Sequence, residues 1–240
     1  MSETPDPSSQ MFDAAFRQAF RDLVLWRRDV RRFRRDPVDP ALIQSLLELA
    51  SHAPSVGHCQ PWRFVLVESA ECREAVRSSF VRANAKALEC YEGEQRAQYV
   101  RLKLEGLQDA PVHLAVFADE TTEAGSGLGR QTMPQTLQYS VVAAIQTLRL
   151  AARAEGLGLG WVSILEPKHL GRILEVPETW TLIAYLCIGR PVEEHLDPEL
   201  ERHHWQERRD SSKSRNTRAP TKFSSRSTAF RFETRRLTTR

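Results

Sequence analysis

The sequence predicts an α+β fold in which helices pack around one central sheet. Two observations predict it. Apolar runs of strand length (63–68, 112–119, 160–165 and 181–189) alternate with segments whose apolar residues recur at helical spacing. One of those segments, 133–154, is apolar on most faces and rich in alanine, as a central helix packed on several sides must be.

The elements follow in order. Asp39 and Pro40 supply an N-cap and a first helical residue, and Leu42, Ile43, Leu46, Leu47 and Ala50 continue a helix. "APSVGHCQP" (53–61) ends it with Pro, Gly and polar residues and predicts a loop. "RFVLVE" (63–68) predicts a strand. Residues 71–91 and 94–107 predict two helices separated by Gly93, and "VHLAVFAD" (112–119) a second strand. A glycine-rich loop, "ETTEAGSGLGRQT", leads to the long helix, with Pro134 near its start and Gly156 past its end. "GLGLG" (156–160) predicts a helix cap and a tight entry into the strand "GWVSIL". A short helix, "PKHLGRILEV", precedes the last strand, "TLIAYLCIG" (181–189).

At 240 residues the chain is long enough for one ordinary domain. No apolar run approaches the roughly 20 residues that span a bilayer. The first ten residues, "MSETPDPSSQ", lack the basic and apolar regions of a secretory signal, and the four cysteines form no CxxC pair. A cytoplasmic protein with reduced thiols, no membrane association and no structural metal is expected. The net charge of +3 hides an asymmetry: residues 211–240 hold nine Lys/Arg and one acid, which leaves the body at −5. An acidic body argues against specific nucleic-acid binding. The expected organisation is a flexible leader (1–14), one domain (15–209) and a basic, disordered tail (210–240).

"GSGLGR" (125–130) fails as a dinucleotide fingerprint, because Arg130 stands where the third glycine belongs. No GxSxG elbow or Walker loop appears. "RRDVRRF" (27–33) is different, since several guanidiniums together suit a phosphate dianion. On the residues alone, a solvated basic surface run stays open beside phosphate binding.

Four segments occur together and in order: "RRDVRRF", "HAPSVGHCQPWRFV", "TMPQTLQYSVVAAIQTLRLAARAEGLGLGW" and "LIAYLCIGRP". With them the chain resembles the FMN-binding nitroreductase superfamily over about residues 15–208. Within it the resemblance is closest to the flavin-fragmenting branch, the 5,6-dimethylbenzimidazole synthases. Asp29 stands where the arginine motif usually has a hydroxyl. "RLKLEGLQDAPVHLAVFAD" follows that branch's pattern, and Ser163 of "GWVSIL" replaces the usual Pro-Ile/Met-Glu-Gly segment.

The resemblance implies a nitroreductase-like fold with a mixed, mainly antiparallel sheet, in a domain-swapped homodimer with flavin at the subunit interface. It implies an aerobic reaction: reduced FMN and O2 give 5,6-dimethylbenzimidazole and erythrose 4-phosphate. FMN is then a substrate, and NAD(P)H enters only through a separate flavin reductase. It makes Arg27, Arg28 and Arg31 ligands of phosphate and ribityl, with Val30 beside them. Asp29 becomes the candidate for proton transfer, and Ser163 a hydroxyl near the flavin ring. Ser55 would touch the flavin from its loop, Lys103 and Leu104 would face the ring, and Arg208 would reach the phosphate. His58 and Cys59 receive no role. An ordinary FMN-dependent nitro or quinone reductase and a non-catalytic flavin-binding protein remain the alternatives.

Overall fold

The computed structural model describes residues 12–210. The chain divides into two compact units, one ending at Gln206 and one beginning at Glu207. The first carries every regular element among the described residues. Residues 1–11 of the expected leader and 211–240 of the expected tail lie outside them.

Seven α-helices and four strands follow one another: α1 (Ala14–Trp26), α2 (Pro40–Ala50), β1 (Trp62–Leu66), α3 (Ala70–Leu88), α4 (Gly93–Arg101), β2 (Val112–Asp119), α5 (Thr136–Ala154), β3 (Gly158–Val162), α6 (Pro167–Ile173), β4 (Trp180–Gly189) and α7 (Glu199–Arg202). Side-chain caps start three of them. Asp13 accepts from Phe16 N, Asp39 from Ala41 N, and Ser69 from Cys72 N. Gly156, at φ +70°, closes α5 as predicted.

The strands pair in the order β1-β2-β4-β3, antiparallel throughout. The one parallel pairing among the described residues is an isolated bridge between Asp29 and Leu159, outside the named strands. Strand alternation sends Leu114, Val116, Ala118, Leu186 and Ile188 to one face, where α2 and α5 cover them. Ala115, Phe117, Tyr185 and Cys187 face the other side, against α3 and α6. The sheet is therefore the middle of three layers.

Two sequence expectations need correction. The helix expected over 94–107 ends at Arg101. The backbone beyond it bonds to side chains: Lys103 O accepts from Arg31 Nη1 at 2.9 Å, and Leu107 N donates to the Glu105 carboxylate. In addition α1, which buries no residue, has no counterpart in the sequence reading.

Candidate active site

β3 is an edge strand, and its free edge is covered by the segment between α1 and α2. Val30 N donates to Leu159 O at 3.2 Å. Further on, Phe33 pairs with Pro191. Covering an exposed edge removes a site of unwanted pairing. The approach is so close that β3 must be glycine-rich on this face. A Cβ at Gly158 would lie 2.6 Å from Val30 Cγ2, and one at Gly160 would run into the Val30 carbonyl oxygen. "GLGLG" is thus a cap at Gly156 and a seat for Val30 at Gly158 and Gly160.

Asp29 is held on three sides. Its Oδ1 accepts from Arg149 Nη2 at 2.8 Å and from Trp161 N at 3.0 Å. Its Oδ2 accepts from Arg31 Nε at 3.4 Å. Arg149 comes from α5 and is mostly buried. Burial pulls its pKa below the usual guanidinium value, and the charge of Asp29 opposes that pull.

The neighbouring cleft is lined by seven arginines (27, 28, 31, 32, 149, 153 and 202) and by Asp29, Glu193, Glu194, Asp197 and Glu199. Most of the arginines are committed. Arg28 donates to the carbonyls of Arg27 and Leu196. Arg32 pairs with Glu193 and Glu199 at 3.1 and 2.8 Å, and Arg153 grips Glu194 with two bonds of 2.8 and 2.9 Å. Arg27 has no side-chain hydrogen bond or ion pair among the described residues. It is therefore a guanidinium in this cleft free to take an external anion.

The structure brings Arg27, Arg28, Asp29, Val30 and Arg31 together, and Lys103 joins them through its carbonyl and Arg31. Lys103 Nζ lies 3.7 Å from Glu105, and Leu104, like Val30, packs on the core between the sheet and α3 and α6. Ser163 is exposed, two residues beyond the Trp161 amide that holds Asp29. Ser55 makes no hydrogen bond to the arginine segment among the described residues. Its Oγ accepts from Gln60 N, and the loop is tied to α5 by Val56 N donating to Ser140 Oγ at 3.0 Å. This loop is strained, with Gly57, His58 and Gln60 all at positive φ. The Gly125 loop packs on it so tightly that a Cβ at Gly57 would lie 3.1 Å from the Gly125 carbonyl oxygen. Burial pushes the Cys59 thiol up, so it is no ready nucleophile. Arg208 lies in the second unit.

Sequence reasoning missed Arg149. One signal was present: it falls four residues after Ile145 and three before Ala152, on a buried stripe where a charge needs a partner.

Comparison with known proteins settles the family. The model of the Nitroreductase family matches residues 24–190. The chain belongs to the nitroreductase family. Among relatives of this nitroreductase-family chain, the 5,6-dimethylbenzimidazole synthase of Rhodospirillum rubrum is 54% identical over 199 residues, which cover 83% of this chain and 94% of that one. The Rhodobacter capsulatus protein of the same name is 48% identical over 82% of this chain and 95% of that one. Among solved structures, an iodotyrosine deiodinase bound to FMN and 3-iodo-L-tyrosine shares the fold, with a TM-score of 0.62 at 24% identity over 73% of this chain and 91% of that one. A nitroreductase in complex with FMN from Exiguobacterium sibiricum gives 0.60 at 17% identity over 83% and 97%. The nitroreductase-like α+β fold expected from the resemblance is thus the fold observed.

Proposed function

We propose that this chain converts reduced FMN and O2 into 5,6-dimethylbenzimidazole, the product in the names of its relatives, with erythrose 4-phosphate and the pyrimidine remainder of the flavin ring as the other fragments. The observation that carries the proposal is the seating of Asp29. A carboxylate is fixed at the centre of an arginine cleft, beside the guanidinium of Arg27 that is free for a phosphate. A base fixed within reach of a bound ribityl phosphate is what a reaction breaking carbon–carbon bonds near that chain requires. FMN supplies the carbon skeleton and the electrons. The protein's part is to hold the phosphate through Arg27, keep Asp29 in place, and offer the Ser163 hydroxyl at the end of β3.

The functional unit in this proposal is a homodimer. The cleft of a single chain encloses about 50 Å³, whereas cofactor sites take roughly 300–1,000 Å³. Phe16, Phe20, Leu25 and Trp26 of α1 and Tyr139 and Val142 of α5 are exposed, an apolar surface fit for a second copy. In such a site Ser55 comes from the partner chain, which accounts for its separation from the arginines. Electrons come from a separate flavin reductase.

The test is to mix the protein with excess reduced FMN in air and analyse the products by chromatography. Dimethylbenzimidazole formed in proportion to flavin lost is expected. Intact, reoxidised flavin as the sole product would sink the proposal, and steady NAD(P)H oxidation with recycled flavin would mark an ordinary reductase instead.

A further inference from the structure

We propose that Arg149 is a positioning residue for this reaction, acting through Asp29. The inference rests on the reading of Asp29 as the proton-transfer group. The Arg149 side chain is 14% exposed, and its Nε is buried without a hydrogen-bond partner among the described residues. Leaving a guanidinium donor buried and unbonded is costly, and it is a poor way to gain stability. The same side chain places Nη2 2.8 Å from Asp29 Oδ1, and the Trp161 amide meets that same oxygen at 3.0 Å.

Two donors on one oxygen fix both the position and the rotation of the carboxylate. Oδ2 is left with only the long 3.4 Å contact to Arg31. Oδ2 is thus the oxygen with lone pairs to spare for a ligand in the cleft, and Oδ1 is the anchor. The Trp161 amide alone would leave the carboxylate free to turn about that single bond. Arg149 removes this freedom from α5: its Nη2 is spent on Asp29 and its Nε is buried, so its part is to hold the carboxylate.

The test compares Arg149→Met and Arg149→Lys with the wild type. Three quantities are read: turnover to dimethylbenzimidazole, affinity for FMN by fluorescence titration, and thermal unfolding. Arg149→Met is expected to lower turnover about 10- to 100-fold, the cost of a misplaced base, while FMN affinity changes less than about threefold. Arg149→Lys, which keeps a cation, is expected to recover part of the loss. In an Asp29→Asn background, Arg149→Met should remove nothing further from the residual rate. Wild-type turnover in Arg149→Met overturns the inference. So does a turnover loss matched by an equal loss of FMN affinity, or full additivity in the Asp29→Asn background. If the wild type makes no dimethylbenzimidazole, the functional proposal falls first. The pairing is then read from thermal unfolding of the two single variants and the double variant, where additive effects overturn it as well.

Discussion

Gly158→Ala tests whether the arginine segment sits on β3 as described. The added Cβ would meet Val30 Cγ2 at 2.6 Å, Val30 Cβ at 2.9 Å and Val30 Cγ1 at 3.0 Å, against about 3.4 Å for ordinary contact. A rotamer change cannot relieve the clash, because Val30 Cβ is attached to the backbone and the side chain is β-branched. Relief requires Val30 to lift by about 0.8 Å. The 3.2 Å bond from Val30 N to Leu159 O is then lost, at about 0.5–1.5 kcal/mol. The 3.0 Å bond from Trp161 N to Asp29 weakens with it, and bonds to charged groups are worth about 1.5–3 kcal/mol. Retaining both bonds instead leaves an overpacked site, at about 1–3 kcal/mol. The cheaper route governs, so a loss of about 1–3 kcal/mol is expected in urea unfolding. The functional loss should be larger in proportion, because displacing a reacting group by about 1 Å can cost about 100-fold in rate. Gly171→Ala is the control. Its Cβ would meet only Val176 Cγ2, at 3.7 Å, and within α6 it should be neutral or stabilising by up to about 1 kcal/mol. If Gly158→Ala kept wild-type stability and turnover, the seat formed by β3 would be wrong.

The other predictions follow from the same geometry. Arg27→Ala should leave unfolding stability within about 0.5 kcal/mol, since its guanidinium has no protein partner among the described residues, and weaken FMN by about 1.5–3 kcal/mol in a fluorescence titration; unchanged affinity would remove Arg27 from the phosphate site. Asp29→Asn keeps an acceptor for Arg149 and Trp161 but loses the base, so flavin should still bind while dimethylbenzimidazole formation falls to a small residual rate; product at the wild-type rate would end its catalytic assignment. His113 is buried with its Nδ1 2.9 Å from the Tyr185 hydroxyl, and burial lowers its pKa to about 4. The unfolded chain binds the proton at the ordinary value of about 6.5, so stability is full above that value and falls by about 3 kcal/mol as the pH drops toward 4. Thermal unfolding against pH should show this slope, and a His113→Leu/Tyr185→Phe double variant should flatten it.

The sheet was legible because its two central strands are nearly continuous apolar runs, and 112–119 and 181–189 lie within a residue of the observed bounds. The end of α4 was not legible. It is set by Arg31 reaching the Lys103 carbonyl across 72 residues of sequence, and no local pattern records such a bond. α1 carries Phe16, Phe20 and Leu23 at helical spacing behind an Asp13 cap, yet it has no buried residue in one chain, so its signal could not be read against the core. The arginine run stood out by composition, whereas its order of duties did not. Arg28, Arg31 and Arg32 look equivalent to Arg27 in sequence, and only the structure shows them occupied by carbonyls and carboxylates.

The acid inside the basic run now has a physical account that does not depend on catalysis. Asp29 accepts an N–H from the covered edge of β3 and neutralises a guanidinium that α5 buries 120 residues later. A serine or threonine at this position could bond the Trp161 amide but would leave Arg149 buried without its anion, the costly half of a broken ion pair. Asp29 and Arg149 are therefore one unit, and the departure from the usual hydroxyl has to be judged together with the arginine on α5. The same pairing separates the charges of the run. Oδ1 is occupied by Arg149 and the Trp161 amide, Oδ2 is left to Arg31 at long range, and Arg27 is not drawn into the pair. A carboxylate bound instead to Arg27 would cancel the charge a phosphate needs. By directing Asp29 toward β3 and α5, the fold leaves the charge of Arg27 uncancelled beside it, as the proposed function requires of an anion site next to a base.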